Sequence, residues 1–144
     1  MGFKKAREEA FKTNLARGQV TASSLRGNDK EYGVEKVLDG RPDTYWSTEE
    51  GVTKAWLEID FGREIEFNRF LVQENIASGQ RVRKFSLRAW KDERYETIAQ
   101  QTTIGYKRIL VFPSIRTRKL QLVIEDSKAS PMITNVEVFK APED

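Results

Sequence analysis

The chain has 144 residues, of which 33% are charged and 10% are aromatic, and its formal net charge at pH 7 is +3. This length supports one globular domain with a short appendage. The sequence contains no Cys and no His, which excludes disulfides, zinc sites built from Cys or His, and His-based nucleophilic triads. The small positive excess does not predict a dedicated nucleic-acid-binding protein.

The first residues have the spacing of a short amphipathic helix, in which Phe3, Ala6, Ala10 and Phe11 share one face. About ten residues are too few for a stable isolated helix in water, so this helix needs a surface to cover. No apolar run is long enough to span a membrane, and the N-terminus lacks a signal-peptide pattern. We expect residues 1–13 to be the helical tail of a preceding domain or a linker, and residues 14–144 to form the globular domain.

From residue 19 onward the sequence has the two-residue alternation of half-buried strands. The predicted strands are 20–24, 54–61, 66–73, 82–90, 95–99, 107–112, 120–125 and a last strand that contains Val136 and Val138. Charged or Pro-containing turns separate several of them. About eight short strands with turn signals between them predict an all-β sandwich.

Two motifs in order give this sandwich a family resemblance. The loop 39–46 reads DGRPDTYW, and the strand 55–62 reads AWLEIDFG. An Asp-Gly loop ending in Thr-x-Trp, followed by a strand ending in Asp-x-Gly, resembles the discoidin domain. This domain is also called the coagulation factor 5/8 type C domain, and the family 32 carbohydrate-binding modules belong to the same group. The resemblance implies a discoidin-type β-sandwich jelly roll of about eight strands with a short N-terminal helix.

Four further motifs narrow the resemblance: FNRF at 67–70, VQENI at 72–76, GQRV at 79–82 and TTIGYKRI at 102–109. In this order they resemble the C-terminal β-sandwich of family 29 α-L-fucosidases, a branch that includes plant enzymes and bacterial α-1,3/4-fucosidases. The resemblance covers about residues 14–140. It implies that the N-terminal helix is the tail of a preceding domain.

The chain itself is not expected to be an enzyme. Glycoside hydrolysis needs two carboxylates at a defined separation in a cleft. The fucosidases that the motifs resemble build this cleft on a (β/α) barrel, which needs about 250 residues. The chain has no alternation of strands and helices from which to build one. Glu58 and Asp60 are two positions apart on one strand, so we interpret them as part of a solvated face.

A calcium site is the first candidate for bound chemistry, because hard cations bind several oxygens at once. Asp39 offers a carboxylate, and Thr44 offers a hydroxyl and a carbonyl. The discoidin resemblance implies that an acidic residue of the last strand closes the site, and Glu137 is the matching position. The role would be structural. The alternative is that Asp39 caps its own turn and Glu137 is solvated.

A second candidate is a carbohydrate site or domain interface at the loop ends, where aromatic faces and forked polar groups can bind vicinal hydroxyls. The candidate residues are Tyr32, Trp46, Glu74, Arg81, Tyr106 and Arg108. Trp46 and Trp56 also suit packing roles. The resemblance argues against galactose recognition, since the chain lacks His and has Gln73-Glu74 where an Arg is expected. The same residues suit docking onto a catalytic barrel, with Glu74 paired to Arg81.

We therefore expect a non-catalytic accessory module of an α-L-fucosidase-like glycoside hydrolase that braces the catalytic domain, binds glycan, or does both. The expected partners are glycan and the catalytic domain of a longer parent, with neither nucleic acid nor membrane. Many animal discoidin domains carry a disulfide, so its absence points, by resemblance, to a bacterial version. We also expect an extracytoplasmic location, periplasmic or secreted, as part of a longer parent. The alternative is a free-standing carbohydrate- or lipid-binding adhesion module. The loop around Met132 offers little apolar surface for lipid.

Overall fold

The computed structural model describes residues 14–24, 34–39, 41, 44–75, 77 and 79–142. Within these residues it contains one 3₁₀ turn, Val34–Leu38, and seven strands. The strands are β1 (Gln19–Ala22), β2 (Trp46–Ser47), β3 (Ala55–Glu74), β4 (Val82–Lys91), β5 (Arg94–Gln101), β6 (Arg108–Ser127) and β7 (Met132–Phe139). The predicted helix at residues 3–12 lies outside this part of the chain. Nowhere in the described residues is there a helix with the length and apolar character needed to cross a membrane.

The strands pair antiparallel in the order β2-β7-β3-β6-β4-β5, and β1 pairs with β3. The two central strands are 20 residues long and change partners midway. Residues 55–60 of β3 pair with β1 and with 119–124 of β6. Residues 65–74 of β3 pair instead with β7 and with 108–117 of β6. We call the half that includes β1, β4 and β5 the first layer, and the half that includes β2 and β7 the second layer.

The core lies between these two layers. In β3, Leu57 and Ile59 are buried, whereas the alternating Trp56 and Glu58 are partly exposed. This is the pattern of a strand with one face on the core. Inward side chains from both layers form one cluster. At the bend, Phe67 packs edge-to-face on Phe61 and on Phe112, with ring centroids 6.1 and 5.9 Å apart. The first contact joins the two halves of β3 across the bend, and the second joins β3 to β6.

The prediction of an all-β sandwich is confirmed, but several strand boundaries were wrong. Predicted strands 54–61 and 66–73 are one strand, β3, which bends through an irregular register between Asp60 and Ile65. Predicted strands 107–112 and 120–125 are likewise one strand, β6, which continues through Pro113. Proline lacks an N–H, so strands accept it at a sheet edge or a bulge. Residues 108–117 pair with β3, and the register shifts beside Pro113.

Asn14 and Leu15 attach the start of the described chain to β7. The side-chain oxygen of Asn14 accepts hydrogen bonds from the backbone N–H groups of Ala16 and Val138, both at 2.9 Å. The N–H of Leu15 donates to the carbonyl of Val138 at 2.7 Å. The expected domain start at residue 14 stays a prediction, and these contacts give it a physical basis.

Gly18 provides a test of how tightly the first residues pack on β3. Its φ is +145°, and an added Cβ would lie 2.1 Å from the carbonyl oxygen of Asp60. Gly62 also has a positive φ, +78°, but an added Cβ there meets nothing within 4 Å. We expect Gly62→Ala to cost about 1 kcal/mol through backbone strain, and Gly18→Ala to cost at least about twice that because of the added clash. Urea unfolding followed by Trp fluorescence measures both. Equal losses would contradict the close packing.

Candidate functional site

Four connections meet at one end of the sandwich, because each leaves or enters a strand at that end. They are the described residues of the connections 48–54, 75–81, 102–107 and 128–131, which we call the loop end. The last three each cross from one layer to the other. Most of the carbohydrate or interface residues predicted from the sequence lie on these connections or beside them.

Glu74 joins two of these connections from the end of β3. Its side chain is only 3% exposed. One carboxylate oxygen accepts hydrogen bonds from the backbone N–H groups of Arg81 and Val82, both at 2.9 Å. The other oxygen accepts from the N–H of Gly105 at 2.8 Å. The carboxylate therefore fixes the connections 75–81 and 102–107 against each other, and it is not presented to a ligand.

Arg81 extends this network to a third connection. Its guanidinium donates to the carbonyl of Ser130 at 2.9 Å, and its own carbonyl accepts from the N–H of Lys128 at 2.9 Å. Ser130 in turn donates its hydroxyl to the carbonyl of Glu49 at 3.0 Å. Glu74 and Arg81 are thus in contact, but the carboxylate bonds to the backbone N–H of Arg81, and the guanidinium bonds to the carbonyl of Ser130.

The remaining predicted residues divide between buried and exposed positions. Trp46 is fully buried, and its indole N–H donates to the carbonyl of Ser24 at 2.9 Å, which makes it a packing residue. The guanidinium of Arg108 donates to the side-chain oxygen of Gln101 and to the carbonyl of Thr103. Tyr106 is 64% exposed. Tyr32 lies outside the described residues. Most of the predicted polar groups are therefore engaged within the domain.

Tyr106 begins an apolar surface that runs along the edge of the second layer. Among the described residues, the large hydrophobic side chains that are exposed are Tyr106, Ile109 (45%) and Val111 (68%). Ile109 and Val111 are two positions apart on β6, so they share its outer face. Leu71 of β3 lies beside Ile109 in the ladder. We call Tyr106, Ile109 and Val111 the exposed edge.

The loop 39–44 brings together part of the predicted calcium set. The carboxylate of Asp39 accepts from the N–H of Arg41 at 2.9 Å and from the hydroxyl of Thr44 at 2.6 Å. The hydroxyl of Thr134, on β7, donates to the carbonyl of Thr44. The carboxylate of Asp39 and the hydroxyl and carbonyl of Thr44 are oxygen ligands of the kind that a hard cation prefers, so their chemistry fits calcium.

Glu137 is not joined to this loop by any hydrogen bond between described residues. Its carboxylate accepts from the side-chain amide of Asn135 at 3.0 Å, and the same amide donates to the side-chain oxygen of Gln73 at 2.8 Å. Within the described part of the chain, no three acidic residues form a cluster that could hold a metal. The structure thus brings Asp39 and Thr44 together with Thr134 and places Glu137 in a different contact.

Sequence reasoning missed Ser130 and Thr134, the two hydroxyl residues that attach the loop end to β7 and to the segment before β3. Both are buried. Nothing in the alternation of apolar residues marks them, since a hydroxyl suits a solvated turn as well as a buried contact. A buried Ser or Thr beside the last strand is recognisable only once its carbonyl partners are known.

Glu58 and Asp60 behave as members of a solvated sheet face. Glu58 accepts a hydrogen bond from the hydroxyl of Tyr95, and Asp60 pairs with Arg118 at 3.2 Å. Burial, and then the bond to Glu58, raises the pKa of Tyr95 above its usual value. The pKa of Asp60 is lowered, first by the backbone N–H of Gly62 and then by Arg118. Each carboxylate has its own partner, so they do not form a facing catalytic pair.

The family model for the F5/8 type C domain matches residues 19–138. The chain belongs to this family. A candidate alpha-L-fucosidase 1 from rice (Oryza sativa subsp. japonica) is 37% identical over 140 residues, which are 95% of this chain and 27% of the rice protein. The chain therefore spans about a quarter of that relative. Its predicted bacterial origin stays a prediction, since this relative is from a plant.

Two solved structures are similar in fold to this chain. A GH29 fucosidase from Ruminococcus gnavus, in complex with fucose, has a TM-score of 0.88 and 29% identity, over 98% of this chain and 29% of that chain. A family 32 carbohydrate-binding module from Clostridium perfringens, in complex with GalNAc-β-1,3-galactose, has a TM-score of 0.76 over 88% of this chain and 99% of that chain. At 21% identity, the second similarity shows the shared fold alone.

Glu74 should be more important for stability than for binding. In Glu74→Gln, a side-chain NH₂ would replace an oxygen and face a backbone N–H, which leaves buried donors without an acceptor. We expect a loss of about 2–3 kcal/mol in the free energy of unfolding. Glu96→Gln is a matched control, because the side chain of Glu96 is 42% exposed and its ion pair with the exposed Arg94 is long, at 3.9 Å, so the change should affect stability little. Similar losses for both variants in urea unfolding would exclude the proposed role of Glu74.

Proposed function

We propose that the chain is a non-catalytic accessory module of an α-L-fucosidase-like glycoside hydrolase, and that it braces the catalytic domain of that hydrolase. Membership of the F5/8 type C family and the similarity to fucosidases support the kind of parent. An extracytoplasmic location is part of this proposal. Hydrolysis belongs to the rest of the parent, because the carboxylates of Glu58 and Asp60 are taken up by separate partners.

One observation carries the bracing role. The polar residues of the loop end bond to one another, while the exposed edge presents three large apolar side chains to solvent. A loop-end sugar site would need free forked donors beside an aromatic face. A protein-docking surface needs exposed aromatic and aliphatic groups at its centre. The loop end and its edge therefore suit a protein partner better than a sugar.

The size of the exposed edge also bears on this role. Three side chains alone cannot form a stable interface, since specific interfaces bury at least about 1,000 Å². The neighbouring Lys107 and the partly exposed Arg108 can provide a polar rim. We infer that the exposed edge is the centre of a larger contact. Glycan binding through the loop end remains the alternative role, and Tyr106 would then be its aromatic platform.

Calcium is a separate part of the proposal. We propose that Asp39 and Thr44 hold a structural calcium ion and that Glu137 of β7 closes the site. The oxygens that meet there, the carboxylate of Asp39 with the hydroxyl and carbonyl of Thr44, support it. The ion would supply a positive charge that fixes the loop 39–44 to the last strand. The hydroxyl of Thr134 already attaches the loop to β7 through the carbonyl of Thr44.

The bracing role predicts an effect that appears only in the full-length protein. Tyr106→Ser and Val111→Ser should leave the melting temperature of the 144-residue chain nearly unchanged, because both side chains are exposed. In the hydrolase encoded by the parent reading frame, each should lower the melting temperature or increase proteolysis between the domains, by an amount equivalent to about 1–2 kcal/mol. Calorimetry and limited trypsin digestion measure these effects.

Arg94→Ser is the control for the bracing experiment, because Arg94 is exposed at the β4–β5 hairpin, at the opposite end of the sandwich. It should change neither the melting temperature nor the proteolysis of the 144-residue chain or of the full-length hydrolase. Two results would contradict bracing: full-length variants that behave like the parent, or a reading frame with no hydrolase domain. Binding of fucosylated glycans by the isolated chain, lost in Tyr106→Ser, would favour the alternative role.

The calcium proposal predicts a stability difference between calcium and chelator. A ligand that binds only the folded state stabilises it by about 1.4 kcal/mol at ten times its dissociation constant. Millimolar calcium should therefore raise the melting temperature by several degrees over excess EDTA, and Asp39→Ala or Glu137→Ala should remove this difference. Comparing each variant with itself separates calcium binding from the loss of turn hydrogen bonds. An unchanged melting curve with EDTA, together with no metal in elemental analysis, would leave only turn capping for Asp39.

A further inference from the structure

The outer face of the first layer contains a groove that shares only Lys54 with the loop end and no residue with the exposed edge. It has a volume of about 580 Å³, within the range of small-ligand sites. Its floor includes the partly exposed Trp56 of β3 and Val123 of β6, which are neighbours in the ladder. An indole beside an aliphatic side chain is a flat apolar surface of the kind on which one face of a pyranose ring can stack.

Charged groups surround this floor. Lys54, Lys84 and Arg88 line the groove together with a single carboxylate, that of Glu125. Three cations against one anion leave a positive excess. Lys84 and Arg88 approach Glu125 only at 3.7 and 3.9 Å, so these are long ion pairs that leave donors available. In addition, the buried Nε of Arg88 has no acceptor among the described residues.

Glu125 is held in place before any ligand arrives. Its carboxylate accepts the hydroxyl of Ser86 at 2.8 Å and the side-chain amide of Gln100 at 3.2 Å. Chiefly through the bond from Ser86, with further contributions from Gln100 and the two cations, the pKa of Glu125 is lowered below its usual value. The group is thus a fixed, ionised acceptor at neutral pH, and it can receive hydrogen bonds from sugar hydroxyls.

We propose that this groove binds an anionic sugar, with the pyranose stacked on Trp56 and its carboxylate or sulfate facing Lys54, Lys84 and Arg88. Glu125 accepts from a neighbouring hydroxyl. The groove combines one aromatic face, one fixed acceptor and an excess of cations. It therefore favours an anionic sugar over a neutral sugar, which would leave the cations without a partner charge. A free inorganic anion, in turn, has no use for the indole. The site is separate from the exposed edge on which the bracing role rests, because none of the exposed-edge residues lines the groove.

The test is an NMR titration of the 144-residue chain with trigalacturonate and with its methyl ester, which keeps the sugar rings and removes the charge. Trigalacturonate should shift resonances of Trp56 and Val123, and the ester should bind at least about five-fold more weakly. Trp56→Ala should weaken trigalacturonate binding at least about ten-fold and Arg88→Gln about five-fold. Raising the salt concentration to 0.5 M should weaken it as well, by screening.

Two controls keep these outcomes decisive. Trp90→Ala removes the other indole of the same layer, which packs on Tyr95 outside the groove, and it should leave binding unchanged. If Trp56→Ala does not fold, the double variant Lys54→Gln/Lys84→Gln replaces it, because both lysines are exposed, and it should weaken binding at least about five-fold.

Several results would overturn the anionic-sugar site. No shifts near Trp56 at about 10 mM trigalacturonate would exclude it, since even shallow sites bind in the millimolar range. Equal binding of the methyl ester would exclude the role of the cations. Full competition by an equal concentration of sulfate would reduce the site to a general anion site.

The two proposals can fail separately. Normal binding of trigalacturonate, together with failed docking on the catalytic domain in the full-length protein, would reject the bracing role alone.

Discussion

The continuous ladder between β3 and β6 is the constraint on which the rest of this domain depends. Both strands pass through both layers, and they pair with each other on each side of the bend. A one-residue slip in this ladder would turn every inward side chain outward, so the buried alternation in β3 and β6 fixes the register. Each of these strands begins at the loop end in one layer, crosses to the other layer at the bend and returns to the loop end. Their pairing therefore also decides which connections meet there. The positions of Glu74 and of the exposed edge follow from it.

The side chain of Glu74 does at the loop end what a neighbouring strand does elsewhere in the sheet: it accepts hydrogen bonds from backbone N–H groups. At the end of β3 the chain turns away from its neighbours, and the carboxylate supplies the acceptors that the backbone N–H groups of Arg81, Val82 and Gly105 need. Buried N–H groups without acceptors are costly, so this side chain solves a folding problem. The same fact limits function, since a carboxylate with three donors has little capacity left for sugar hydroxyls. The hydrogen bonds that fix the loop end thus occupy the polar groups of Glu74 and Arg81 that would otherwise bind a glycan there.

The sequence was sufficient for the fold because alternation and turn motifs are local signals. It predicted the sandwich, the family and most strand positions, but it divided β3 at Gly62 and β6 at Pro113, where local breakers are outweighed by pairing on both sides of the bend. For the site, it selected Glu74, Arg81 and Arg108, which lie at or beside the loop end, and their binding role stays a prediction. It could not show that their polar atoms are used internally, because carbonyl partners such as that of Ser130 are distant in sequence. Exposure of Ile109 and Val111 depends equally on tertiary structure, since both fit a buried strand.

The two proposed surfaces lie on opposite layers, and this arrangement has a mechanical consequence. The exposed edge belongs to the outer side of the second layer, and the Trp56 groove belongs to the outer side of the first. Packed sheets are about 10 Å apart, and the core between these layers is a continuous cluster of buried apolar side chains. A protein partner on the exposed edge therefore does not cover the groove, and a ligand in the groove does not compete with that partner. Coupling between them would have to pass through β3 or β6, whose registers are fixed by burial. The domain is thus suited to carry a ligand at a constant orientation to its partner, with each contact contributing its affinity independently.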